Sequence, residues 1–127
     1  MNKTTLSSRI VIALAALVAA FGLTVALSGC SSQNVDMSTV TAVIDVRTPA
    51  EFASGHLDGA VNIDWEGTDF ATQVATLDKN GVYVLYCRSG NRAGQALDAM
   101  KGMGFTHLTN AGGVDNASTL TGLAIVE

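Results

Sequence analysis

The sequence predicts an α/β domain in which a parallel β-sheet carries helices on both faces. Three observations point there. Short apolar runs at 43–46, 60–63, 82–86 and 105–108 alternate with stretches of helical spacing, the order that builds parallel sheets. The runs Val43-Ile44-Asp45-Val46 and Val82-Tyr83-Val84-Leu85-Tyr86 are rich in β-branched and aromatic residues, as buried strands are. The second of them passes directly into Cys87 and a polar loop, so the most reactive side chain sits at the carboxyl end of a strand. That is where sheets of this class hold their sites.

The elements follow in order. Residues 43–46 form the first strand, and the carboxylate of Asp45 at its end needs a partner in the fold. Thr48-Pro49-Ala50-Glu51 then opens a helix. Thr48 can cap it, Pro49 suits the first helical position, and Glu51 completes a capping box. The helix is short and ends by Gly55. Residues 60–63 form a second strand. Phe70, Val74 and Leu77 recur at helical spacing, so 69–77 is predicted helical. Asp78-Lys79-Asn80-Gly81 is a turn, and 82–86 is the central strand. Ala93, Ala96, Leu97, Met100 and Met103 share one face of a helix over 93–103, with Gly104 just past its end. Residues 105–108 form the last strand.

The loop Cys87-Arg88-Ser89-Gly90-Asn91-Arg92-Ala93 contains no proline. Every residue after Cys87 therefore offers a backbone N–H that can turn inward, and the helix beyond presents its positive end. A thiol held there ionises below the roughly 8.5 of a free cysteine, and Arg88 and Arg92 add positive charge. The thiolate is the nucleophile, so the loop suits sulfur or anion chemistry. A buried structural cysteine is the competing reading. The charged, polar and glycine residues after Cys87 weigh against it.

This loop resembles the active-site loop of the rhodanese family, which transfers sulfane sulfur. Two further blocks agree: Val43-Ile44-Asp45-Val46-Arg47-Thr48-Pro49-Ala50-Glu51-Phe52, and Gly55-His56-Leu57-Asp58-Gly59-Ala60-Val61-Asn62-Ile63. Gly112-Gly113 also resembles the family's glycine pair, although Val114-Asp115-Asn116-Ala117 stands where the family usually carries a tryptophan. The resemblance covers about 40–114 and implies a rhodanese-like fold with Cys87 as the nucleophile. It implies that the loop from Arg88 through Ser89, Gly90 and Asn91 to Arg92 binds the transferred sulfur and its donor. It also suggests that Asp45 supports nearby loops, with Arg47 pairing to Asp45 or Glu51. Related phosphatases and arsenate reductases place an arginine six residues after the cysteine, to hold a phosphate-sized oxyanion. Here that position is Ala93, which disfavours phosphatase activity.

The front of the chain reads differently. Met1 to Arg9 carries Lys3 and Arg9 and no acid, and 10–27 is almost wholly apolar. This is the pattern of a secretory signal. It ends in Leu27-Ser28-Gly29-Cys30, which resembles the lipobox of bacterial lipoprotein precursors. The organisation expected is a signal peptide over 1–29, a lipidated Cys30 with a flexible spacer over 30–39, and the domain over 40–127. An uncleaved membrane anchor is the alternative. Both place the domain outside the cytoplasm. Two or more acyl chains hold a protein stably where one does not, so the lipidated form would be a stable tether to a bacterial membrane.

Seven basic and eleven acidic residues give a formal charge of −4. Without residues 1–29 it becomes −6, because Lys3 and Arg9 are lost and no acid is. Such a surface disfavours nucleic-acid binding. It also repels anionic substrates, so attraction must come locally from Arg88, Arg92 and the loop amides. With Cys30 lipidated, Cys87 is the one free thiol and no intrachain disulfide can form. Two histidines and two cysteines are too few for a metal site, and no cofactor is expected. His56 in its glycine-rich turn is read as structural. Trp65 and Phe70 are read as core.

The function expected is sulfur transfer by a monomer. Cys87 would take sulfur from a small anionic donor such as thiosulfate and pass it to a thiol or cyanide. The alternative is a rhodanese-like binding or sensing module without turnover. A thiol oxidoreductase would lack the second cysteine of its pair.

Overall fold

The computed structural model describes residues 34–127. The expected signal segment and Cys30 lie outside the described residues, as do 31–33 of the spacer. Among the described residues no helix is long and apolar enough to cross a membrane.

Four strands form a parallel sheet in the order β3-β1-β4-β5: β1 is Ala42–Asp45, β3 Val61–Asn62, β4 Val82–Tyr86 and β5 His107–Asn110. β2 (His56–Leu57) pairs antiparallel with β6 (Ile125–Val126) in a separate ribbon. The helices are α1 (Pro49–Ala53), α2 (Phe70–Val74), α3 (Asn91–Gly102) and α4 (Val114–Thr121).

Side chains of successive strand residues point to opposite faces, and here both faces are covered. On one face Ile44, Tyr83 and Leu85 pack with Phe70 and Val74 of α2 and with Ala93, Ala96 and Met100 of α3. On the other, Val43, Val84 and Tyr86 pack with Ala117 of α4 and with Leu57. The expected face of α3 is the one buried, with Ala93, Ala96 and Met100 at 0% exposure. Leu97 and Met103 close its flank.

The capping box is formed: the Glu51 N–H donates to Thr48 Oγ1 at 3.3 Å, and the Thr48 N–H donates to Glu51 Oε2 at 3.1 Å. The turn before β4 also forms, with the Gly81 N–H donating to the Asp78 carbonyl at 3.0 Å.

Several boundaries differ from expectation. α3 begins two residues early, because Gly90 adopts φ +92° at its N-cap and lets Asn91 enter the helix. The last strand is His107–Asn110 rather than 105–108. Phe105 instead packs edge-on against Tyr83, with ring centroids 5.7 Å apart. α2 is shorter than expected. α4 and the β2–β6 ribbon were not anticipated by the pattern of the sequence.

Candidate active site

Cys87 stands one residue beyond β4, flanked by β1 and β5. Its N–H donates to the Gly112 carbonyl at 3.0 Å, and the Ala111 N–H donates to the Leu85 carbonyl at 2.7 Å. The strand and the segment after β5 thus fix the cysteine backbone from both sides. From there the loop turns back over the thiol. The Gly90 N–H donates to Cys87 Sγ at 3.0 Å. Burial pushes the thiol's pKa up, but the N–H groups of Ala93, Ser89, Gly90 and Arg92 act together and bring it below the ordinary cysteine value. Two of these donors lie in the first turn of α3, where helix N–H groups have no partner within the helix.

Glycines make this curl possible. Gly113 lies so near the loop that a Cβ there would sit 2.6 Å from the Arg88 carbonyl oxygen. Asn110 holds the two segments together: its amide donates to the Gly90 carbonyl at 2.9 Å, and its Oδ1 accepts the Gly112 N–H at 2.9 Å.

Cys87 is 0% exposed and belongs to the apolar cluster of the α3 face. The structure therefore joins the two readings of the sequence. The residue is a core cysteine by burial, and the loop N–H groups at its thiol lower its pKa.

The arginines separate. Arg88 is exposed and forms no ion pair among the described residues. Arg92 is engaged by Glu51, with Nη1 to Oε2 at 2.8 Å and Nη2 to Oε1 at 2.9 Å, and its Nη1 also reaches Glu66 Oε2 at 3.3 Å. Sequence spacing could not show the Glu51–Arg92 pair, whose members lie 41 residues apart. The Arg92 hydrogen bonds, set against partial burial, pull the Glu51 carboxyl down to about 2.

The profile of the Rhodanese-like domain family matches residues 30–118. This chain belongs to the rhodanese-like family. Over 71 residues, 56% of this chain and 68% of the relative, it is 39% identical to the thiosulfate sulfurtransferase PspE of Escherichia coli (strain K12). It is 30% identical over 95 residues to a sulfurtransferase of Allochromatium vinosum, covering 75% of this chain and 87% of that one. Among solved structures, a rhodanese with anions from E. coli superposes with a TM-score of 0.57 at 34% identity. That match covers 68% of this chain and 96% of the other.

In this rhodanese-like domain Asp45 and Arg47 pair with each other at the end of β1. Arg47 Nη2 lies 2.6 Å from Asp45 Oδ2, and Nε contacts both carboxylate oxygens at 3.0 Å. The same Nη2 donates to the Gly55 carbonyl at 2.6 Å. The Asn62 amide donates to the carbonyls of Asp45 and Arg47, at 3.0 and 2.8 Å. This buried network fixes the turn after β1. His56 stacks on Phe52, with centroids 3.7 Å apart, and its Nδ1 lies 2.9 Å from the Phe52 carbonyl oxygen. That environment matches a structural role. Trp65 meets Phe70 edge-on at 4.9 Å and packs against the cluster that contains Cys87.

Proposed function

We propose that this chain is a membrane-tethered sulfurtransferase that moves sulfane sulfur through a Cys87 persulfide. The observation that carries the reading is the loop closed over Cys87, whose Gly90 N–H donates to Sγ at 3.0 Å while the neighbouring loop N–H groups help lower the thiol's pKa. Membership of the rhodanese-like family, with sulfurtransferase relatives, supports it.

In the first step the Cys87 thiolate attacks the outer sulfur of thiosulfate. The S–S bond of the donor breaks, sulfite leaves with the bonding electron pair, and Cys87 becomes a persulfide anion. In the second step cyanide or a thiolate takes the outer sulfur and the Cys87 thiolate is restored. The loop N–H groups favour the thiolate by lowering the pKa of Cys87, so the ionised fraction of the thiol carries the attack. The loop N–H groups stabilise the terminal sulfur anion as an oxyanion hole stabilises oxygen. Arg88, exposed and next to Cys87 in the chain, would meet the anionic end of the donor. A lipidated Cys30 would hold the domain on the extracytoplasmic side of a bacterial membrane, with the residues after it as a spacer.

Steady-state thiocyanate formation from thiosulfate and cyanide tests the reading. The chain should show ping-pong kinetics, and Cys87→Ser should abolish turnover while the thermal melt stays cooperative. Turnover by the serine variant would contradict the mechanism. One observation favours a second reading, a binding or sensing module: Cys87 is fully covered in the resting fold. Failure to turn over with any pair of donor and acceptor would select it.

A further inference from the structure

Arg92 is the second loop cation that a donor could meet, yet its terminal nitrogens are already engaged. Glu51 takes both terminal nitrogens in a bidentate pair, and Glu66 stands against Nη1. The three side chains together carry one net negative charge. Glu51 is itself held from behind, because its Oε2 accepts from the Thr48 N–H and Oγ1, each at 3.1 Å. The capping box of α1 thus aims a fixed carboxylate at the catalytic loop. These contacts take three of the five guanidinium N–H donors, while the backbone N–H of Arg92 serves the thiol.

We propose that Glu51, assisted by Glu66, sets the donor preference of this site by withholding the Arg92 guanidinium from dianions. The site then favours sulfane-sulfur donors of single negative charge, organic thiosulfonates or thiol persulfides, over thiosulfate. The inference rests on the sulfurtransferase reading and names the substrate class of the same site.

The chemistry is the same for each donor. Thiosulfate gives its outer sulfur to the thiolate and leaves as sulfite, a dianion. A thiosulfonate gives the same sulfur and leaves as a sulfinate, a monoanion. A thiol persulfide leaves as a thiolate. In every case one S–S bond breaks, one forms, and the leaving group keeps the electron pair. The donors differ in the charge that must approach Glu51 and Glu66, and a carboxylate near an approaching anion disfavours the higher charge more.

The test uses the full chain in detergent, as wild type, Glu51→Gln and Glu66→Gln, with thiosulfate or p-toluenethiosulfonate as donor and cyanide as acceptor. Glutamine keeps an acceptor oxygen for Thr48, so the cap survives while the charge is lost. Glu51→Gln should raise kcat/KM for thiosulfate relative to the thiosulfonate by roughly three- to tenfold, mainly through a lower KM, a range suited to a part-exposed charge. Glu66→Gln should move the ratio the same way by less, because its contact is longer and Glu66 is more exposed. Added salt should shrink both effects. In a Cys87→Ser background, which cannot accept the sulfur, the calorimetric Kd for thiosulfate should fall by the same factor on Glu51→Gln.

An unchanged or reduced donor ratio overturns the proposal. So does an equal loss of kcat with both donors, which would make Glu51 a support for the loop alone. If Glu51→Gln melts without cooperativity, Glu66→Gln carries the same test. Wild-type turnover with an unmoved ratio and Kd removes only the role of Glu51. A tightened Kd without turnover removes the sulfurtransferase reading and leaves Glu51 as the gate for anions.

Discussion

Two arginine–carboxylate pairs, one in the turn after β1 and one on the loop that carries Cys87, differ in almost every respect but chemistry. Arg47–Asp45 joins residues two apart, with side chains 8% and 0% exposed. Arg92–Glu51 joins residues 41 apart, with side chains 20% and 31% exposed. The inner pair is buried, with Arg47 also bonded to the Gly55 carbonyl, so neither charge has water to fall back on. The outer pair is partly wet and stands at the loop that bears the thiol. The inner pair is placed to hold the fold, while the outer one is the pair proposed above to tune what the loop binds. Arg47 engages its carboxylate side-on through Nε and Nη2, whereas Arg92 engages end-on through Nη1 and Nη2.

The largest effect should come from breaking the inner pair. Asp45→Ala leaves the Arg47 charge buried and alone, and should cost about 3–5 kcal/mol of stability, read as a lower urea midpoint. A loss below 1 kcal/mol would show that Arg47 finds solvent and that the two pairs are alike.

A second break strikes the backbone packed against the loop of the outer pair. Gly113→Ala introduces no φ strain, since φ is −84°, but its Cβ would meet the Arg88 carbonyl oxygen at 2.6 Å. It should cost roughly 1–3 kcal/mol. It should also draw the loop N–H groups away from the thiol, so that alkylation of Cys87 follows a midpoint shifted up toward that of a free thiol. An unmoved midpoint would mean that the close approach of Gly113 does not shape the loop.

The outer pair should show its small stabilisation only in acid. The Glu51 carboxyl is held at about 2 against an ordinary 4.5. Because the folded value is depressed, the stabilisation is complete above pH 4.5 and drains away as pH falls toward 2. Glu51→Gln should lose no more than about 1 kcal/mol at neutral pH. Its stability should also fall less steeply than wild type through that acid window. Parallel acid profiles for the two proteins would contradict the pairing.

The inner pair was partly legible in the sequence: a carboxylate ending a buried strand needs a partner, and Arg47 two residues on was expected to pair with it or with Glu51. The outer pair was not. The capping box marked Glu51 as a helix-start residue, a local signal, and nothing local told that its other side meets Arg92. The same division runs through the fold. β1, β4, the turn at 78–81 and the buried face of α3 follow from short-range pattern. The β2–β6 ribbon has two residues per strand and joins distant parts of the chain, so it leaves no periodicity to read. α4, Val-Asp-Asn-Ala-Ser-Thr-Leu-Thr, is rich in residues that favour caps or strands, and burial of Ala117 and Thr121 overrides that preference. At the site, Cys87 and its loop were readable from residue type and spacing. The full burial of the thiol was not, because the residues that follow it are polar and only the Gly112–Gly113 approach folds them back over the core.

The most direct test of the account is the intact mass of the full chain, in detergent, before thiosulfate, after it, and after subsequent cyanide. The account predicts gain of one sulfur atom on Cys87 and its complete loss to cyanide, with no gain in Cys87→Ser. A reduced, intact Cys87 that takes up no sulfur would contradict it.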